Sequence, residues 1–368
     1  MNVLIEPFSA DRITQLQAFN RRMLAGGLAL EMAFPEEMEF PVKGAPIWQE
    51  SFLAVESESV HGAYYFTHER YALDGEACWI AHYRHPISEV VIDKSYKGLG
   101  SLLLHDAERR EPLLYATVGG AGNPNLRRLR AEGWKDVLIP FCFRVVRPVV
   151  FLANLAYLRK TFLRRLACEA AARTGLGWLG IKAAQAVRAR RWSRPARYSA
   201  KLAPEFGPWA DELWDVNQSR YRYAAVRDRA TLNLRYPPGN ARFQRLVIAD
   251  ANGVAGWAVL LEKRMNGNPY FGNMHVGTIV DFLAVPGREP AVVNAAAVQL
   301  EAAGVDILVS NQSSAAWLDA FRKAGFLFGP SNYYLAFSPE LARRLDPLAE
   351  NMNEFHVNRG DGAGISLL

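Results

Sequence analysis

The chain has 368 residues, half of them hydrophobic, which is enough for two ordinary domains with buried cores. No apolar run approaches the ~20 residues that a membrane-crossing helix needs, and no leader pattern opens the sequence, so a membrane-spanning or exported protein is not expected. The net charge of +6 is uneven: residues 144–201 carry 14 Lys and Arg against one acid, Glu169, a local +13, while the other 29 basic and 36 acidic residues give −7.

Taken in order, "NVLIEPF" is a short apolar strand, Asp11 stands where an N-cap would, and "RITQLQAFNRRMLAGG" keeps helical spacing up to Gly26-Gly27. "SFLAVESE" and "VHGAYYFTHERYAL" are strands around a turn, and "CWIAHYRHPISEVVID" supplies one or two more. After a glycine turn at 97–100, "LGSLLLHDAERR" is a helix closed by Pro112, "LLYATVGG" a buried strand and "NPNLRRLRAEGW" a second helix ending at Gly133. A helix on an antiparallel meander, followed by alternating strands and helices, predicts an α/β fold with a mixed α+β sheet.

From about Pro204 the plan recurs. "PWADELWDVNQ" is helical, "FQRLVIADANGVAGWAVLLEKR" a hairpin around Asn252-Gly253, and "HVGTIVDFLAVPG" a strand. "PAVVNAAAVQLEAAG", "VDILVS" and "AAWLDAFRKAGF" then read as helix, strand and helix. The expected organisation is a first domain over 1–147, a basic helical linker over 148–203, a second copy over 204–340 and a tail over 341–368. The linker alternates Leu, Phe and Trp with arginine. That pattern fits a solvated face packed between domains, a helix lying on an anionic membrane surface at the inner face, or a nucleic-acid contact. Three scattered cysteines, Cys78, Cys142 and Cys168, argue against disulfides and for a reducing cytoplasm.

The stretch "EVVIDKSYKGLGSLLL" joins an apparent strand to an apparent helix through Lys97-Gly98-Leu99-Gly100. A helix opening on glycines exposes its first N–H groups and the positive end of its dipole, and a lysine adds a cation there. Such a terminus suits a phosphate. It matches neither the nucleotide P-loop nor the dinucleotide fingerprint. Here the chain resembles the GNAT acyltransferase superfamily, in which a strand ending V-x-P, an aromatic and (R/Q)-x-x-G-x-(G/A) open the helix that holds an acyl-CoA pyrophosphate. Ile92-Asp93-Lys94 stands at V-x-P, Tyr96 at the aromatic, Lys97-Gly98-Leu99-Gly100-Ser101 at the turn, and Leu102 where the last small residue belongs.

The resemblance implies two GNAT-like domains, with acetyl-CoA or another acyl-CoA as co-substrate at Ile92, Asp93 and Lys97 to Ser101. In the second copy Ala284-Val285-Pro286 matches V-x-P, but Arg288 to Val293 lack both motif glycines, so that copy is expected to hold no cofactor. "DRATLNLRY", "VDFLAVPG" and "VNRGDGAG" extend the likeness to tandem-GNAT proteins often associated with bacterial cell-envelope or exopolysaccharide gene sets.

Acyl transfer to an amine needs a base, an oxyanion donor and a path for the leaving thiolate. Glu89, three residues before Ile92 on the strand running to the turn, stands where the resemblance implies a carboxylate base, and aligning the V-x-P sites puts Asp281 at the same position in the second copy. The superfamily's usual tyrosine acid, four residues before the last helix's glycine, is replaced by Leu129 and Phe321, which leaves Tyr115 as the alternative. Tyr221 and Arg222, with Tyr223, Arg227, Arg229 and Arg235, could hold an anionic acceptor, and Asp281 joins Tyr221 and Arg222 as a substrate-binding candidate. Cys78, His82 and His85 do not share one strand face, and no metal is expected. Arg359-Gly360-Asp361 reads as a turn in the tail.

The function expected is transfer of an acyl group, acetyl by default, to an amine of a small molecule, sugar or cell-envelope precursor. Two alternatives stay open. One is an aminoacyl-tRNA-dependent transferase of the peptidoglycan-bridge type, with the basic segment on RNA, and the other is a non-catalytic binding or scaffold protein derived from the same fold.

Overall fold

The computed structural model describes residues 2–29, 33–154 and 198–362, together with positions 180, 183 and 185. Most of the basic segment, and with it the membrane and tRNA readings, lies outside the described residues. The chain begins with β1 (Leu4–Pro7), α1 (Ile13–Ala25), β2 (Ile47–Glu56), β3 (Ser59–Leu73) and β4 (Glu76–Ser88). Next come α2 (Leu99–Arg110), β5 (Leu114–Gly119), α3 (Pro124–Ala131), β6 (Lys135–Leu138), β7 (Phe141–Val145) and α4 (Pro148–Asn154). After the linker follow β8 (Ser199–Ala203), α5 (Trp209–Asp215), β9 (Tyr223–Ala225), α6 (Arg229–Arg235), β10 (Gln244–Asp250), β11 (Gly253–Arg264) and β12 (His275–Ala284). The remainder is α7 (Glu289–Ala302), β13 (Ile307–Asn311), α8 (Ala315–Lys323), β14 (Leu327–Gly329), β15 (Tyr333–Phe337), α9 (Pro339–Arg344), α10 (Leu348–Asn351) and β16 (Phe355–His356).

Two compact units result. One comprises Met1–Tyr71, Glu76–Val137 and Tyr334–Ala349; the other comprises Ala72–Gly75, Leu138–Tyr333 and Glu350–Leu368. The first has the strand order β1-β2-β3-β4-β5-β15-β6 and the second, in matching sense, β8-β10-β11-β12-β13-β7-β14. These are two copies of one mixed sheet, each an antiparallel meander followed by a parallel pair, β4 with β5 and β12 with β13. The boundaries are not the linear ones expected at 147, 204 and 340. β7 pairs antiparallel with β13 and β14, while β15 lies between β5 and β6, so each sheet takes its sixth strand from the other half of the sequence. The stretch after 340 is not a tail either, because α9 belongs to the first unit and β16 to the second.

In the first unit α2 buries Leu99, Leu103, Leu104 and Ala107, one stripe at helical spacing, against Tyr64 and Phe66 of β3. Ala63 and Tyr65 of the same strand face the other way, onto Leu16, Phe19 and Met23 of α1. Burial on both faces explains the unbroken apolar run Ala63-Tyr64-Tyr65-Phe66 in the middle of β3. In β4, Ala81 and Tyr83 face the α2–α3 core, yet Ile87, which simple alternation would put beside them, packs against α1. Between them His85 leaves the extended conformation at φ +54°, and the alternation changes face across it.

Candidate active site

The α2 N-terminus is built as the glycines imply. Gly98 is its N-cap at φ +98°, a conformation that L side chains rarely adopt, and the Leu102 N–H donates to its carbonyl at 3.1 Å. A Cβ on Gly100 would lie 2.1 Å from Nη1 of Arg128, so the guanidinium of α3 rests directly on the first turn of α2. Lys97 is exposed at the same edge, and Leu102 points outward, 36% exposed, rather than into the turn. Asp93 accepts from the Ser95 N–H at 2.9 Å and shapes the turn. The remaining expected cofactor residues serve the protein itself. Ile92 packs on Gly26 at the end of α1, Leu99 is fully buried in the core, and Ser101 bonds to Glu132. The Ser101 and His105 contacts hold the Glu132 carboxyl below the usual range.

Glu89 is not on the strand. It begins a 3₁₀ turn, Glu89–Val91, just past the end of β4. Arg22 of α1 donates to its Oε1 from Nε at 2.8 Å, and to its Oε2 and the Val60 carbonyl from Nη2. The Nδ1 of His61 bonds Oε2 as well, while His61 Nε2 meets the Tyr96 hydroxyl at 3.2 Å with the two rings stacked 4.3 Å apart. Burial pushes the Glu89 carboxyl up, but the bonds from Arg22 and His61 outweigh it and leave it below the ordinary glutamate range. Both oxygens of this carboxylate are already committed to Arg22 and His61, and it ties α1, β3 and the glycine turn together.

Tyr115 is buried on β5, its ring stacked on His82 at 4.4 Å and edge-on to Tyr71 at 5.7 Å. The pairing of β4 with β5 covers only Ala81 with Leu114 and His82 with Tyr115, although β4 runs on to Ser88 and β5 to Gly119. The strands therefore part just beyond His82. Its Nε2 meets Oγ1 of Thr117 at 3.1 Å across the opening. Burial first, and then Arg84, holds the His82 imidazole well below the ordinary histidine range, so the ring is neutral. His85, the other histidine of the rejected metal set, bonds the Ala33 carbonyl at 3.1 Å.

The second unit gives its three expected acceptor residues structural partners. Asp281 is wholly buried. Arg227, the Phe282 N–H and Asn358 donate to its Oδ1, Tyr236 to its Oδ2, and Arg235 stands 3.6 Å away. Against the upward push of burial, Arg227 and Arg235 hold this carboxyl at about 2. Tyr221 is buried and accepts the Trp317 indole N–H at 3.1 Å, and Arg222 pairs with Asp74 at 2.9 Å. Arg359-Gly360-Asp361 is no loose turn: Arg359 donates to Asn311, and both Asp361 oxygens accept from Arg227 at 2.8 Å.

No protein-family model matches the sequence, and no curated protein matches it. Solved structures do resemble it. A conserved protein of unknown function from Enterococcus faecalis V583, described as a probable N-acyltransferase, matches with a TM-score of 0.53 at 10% identity over 94% of this chain and 74% of its own. The GCN5-related N-acetyltransferase of Anabaena variabilis ATCC 29413 gives 0.51 at 11% identity, over 91% and 72%. The fold is thus that of the GNAT N-acyltransferases, present twice, as the glycine turn and the recurring element order suggested. Sequence reading missed Arg22, His61, Arg128 and Thr117, and met His82 only as a metal ligand. Their partners come from separate elements, and no local spacing links them.

Proposed function

We propose that the chain is an acyl-CoA-dependent N-acyltransferase working from its first unit. The observation that carries this reading is the juxtaposition of a glycine-opened helix, with Lys97 and Arg128 at its first turn, and two parallel strands that separate after a single pair beyond Ala81 and Leu114. The turn suits a diphosphate, and the gap where β4 and β5 part suits an extended amide-bearing arm. The thioester would then lie near His82. As the acceptor amine attacks the thioester carbon, forming the C–N bond and expelling the thiolate, the neutral His82 takes the amine proton. A thiol of pKa about 8.5 leaves without a dedicated acid. Acetyl is the default acyl group, and an amine of a sugar or cell-envelope precursor the proposed acceptor.

The test is a thermal-shift titration with CoA, acetyl-CoA and longer acyl-CoAs on the native chain and on Gly100→Glu. A ligand at about 100 times its Kd adds roughly 2.7 kcal/mol of stability. A shift that Gly100→Glu abolishes supports the reading, and no shift in either protein overturns it. The saturated Glu89 carboxylate favours a second reading, an acyl-CoA-binding protein without turnover. Loss of acetyl-CoA thioester in the presence of a panel of amines decides against that one.

A further inference from the structure

The second unit has the same parallel pair as the first, and there the opening is filled. β12 and β13 pair through Val276 with Ile307, Gly277 with Leu308 and Thr278 with Val309, after which Ser310 Oγ donates to the Ile279 carbonyl and the pairing stops. The backbone of Phe355 and His356 pairs in parallel with Tyr223 and Ala224 of β9, and from there the segment brings the His356 ring and residues 357–361 into the space beyond. On the β13 side, Asn358 bridges antiparallel to Gln312, the Ser313 N–H donates to the Val357 carbonyl at 3.1 Å, and the Val357 N–H donates to Ser313 Oγ at 3.0 Å. On the β12 side, His356 Nε2–H donates to the Phe282 carbonyl at 2.9 Å, and Asn358 Nδ2 donates to Asp281 at 2.7 Å.

Two further features fix the segment in place. Asp361 receives both its bonds from Arg227, which also holds Asp281, so the segment is locked to β12 through a guanidinium with no solvent exposure. Gly360 is required by the fit, since a Cβ there would come within 2.4 Å of the Tyr236 hydroxyl and 2.9 Å of Asp281 Oδ2. The helix that follows β12 also differs from α2. The first residue of α7 is Glu289, buried and paired with Arg220 at 3.1 Å, so a protein carboxylate stands in the first turn, where a diphosphate would be repelled.

We propose that residues 355–361 are a resident occupant of the second unit's strand opening, taking the place of an acyl-CoA arm, so that the chain carries a single acyl-CoA site, the one in the first unit. The inference rests on the acyl-CoA reading of that first unit. Missing glycines alone would only weaken a second site, whereas a bonded stretch of the chain's own backbone removes the space.

The experiment is titration calorimetry of the full chain with CoA, on the native protein and on Gly100→Glu, beside hydrogen exchange of the 355–361 amides with and without CoA. One CoA per native chain, none on Gly100→Glu, and slow 355–361 exchange that CoA does not change are expected. Two CoA per chain, binding retained by Gly100→Glu, or fast exchange at Val357 and Asn358 would overturn the proposal. If the native chain binds no CoA, the acyl-CoA reading of the first unit fails instead, and the exchange rates alone judge whether 355–361 holds the opening closed.

Discussion

Arg128 shows how a single side chain changes the meaning of a motif. Its guanidinium lies on the first turn of α2, where only a glycine at position 100 leaves room. If it bonds a CoA phosphate, Arg128→Ala removes one charge-assisted hydrogen bond, worth about 1.5–3 kcal/mol, and calorimetry should find CoA binding roughly 10- to 100-fold weaker. His82→Gln should behave differently. It keeps the CoA-induced thermal shift and cuts thioester consumption by ~10²–10⁴-fold, the usual contribution of a positioned base. Equal loss of binding and turnover would make His82 a packing residue.

Two of the buried histidines, His82 and His356, also set a pH dependence. Burial, followed by Arg84 for His82 and by Arg227 for His356, lowers both below the ordinary value of about 6.5. The unfolded chain therefore binds protons more readily than the folded one. Stability is full above pH ~6.5 and declines as pH falls below it toward the depressed folded-state values. Thermal melts should show Tm dropping between pH 7 and pH 5. A flat profile would mean that neither ring stays neutral in the fold.

At the scale of elements, Gly98 and the 227–281–361 ion cluster are the points where one substitution should unseat a whole segment. Gly98→Ala puts a Cβ on a residue at φ +98°, which costs about 1–2 kcal/mol in denaturant unfolding even though no neighbour lies within 4 Å. Asp361→Asn leaves the buried Arg227 without half its charge partners and should cost ~3–5 kcal/mol. Most elements were legible in the sequence because they announce themselves locally. The Asn252-Gly253 hairpin, with Gly253 at φ +114°, and the stripe of α2 are examples. Asp11 is not the cap of α1, because a 3₁₀ turn, Ala10–Arg12, intervenes, and a chain's choice between that turn and another helical residue depends on packing. Glu89 leaves the strand for a similar reason. Strand periodicity continues through it, while the bonds from Arg22 and His61 that pull it into a turn come from α1 and β3.

At the scale of the whole molecule the exchanged strands decide what can fold. A fragment of residues 1–147 would lack β15, leaving β5 and β6 without the strand between them and β7 without β13. Open strand edges of that kind aggregate. We expect the fragment to be insoluble or unfolded by circular dichroism, and recovery of a cooperative melt on co-expression with residues 204–362 would confirm that the missing strand is the cause. The sequence by itself determined the helices, hairpins, repeated plan and glycine turn, since each rests on contacts between residues a few positions apart. Only the tertiary structure decided that the halves interleave, that Glu89 and Asp281 are held by arginines, that His82 stands where two strands part, and that residues 355–361 fill the second opening. Those depend on groups from 35 to 188 positions apart in the chain, from His82 with Thr117 to Phe141 of β7 with Gly329 of β14, and no local pattern encodes such distances.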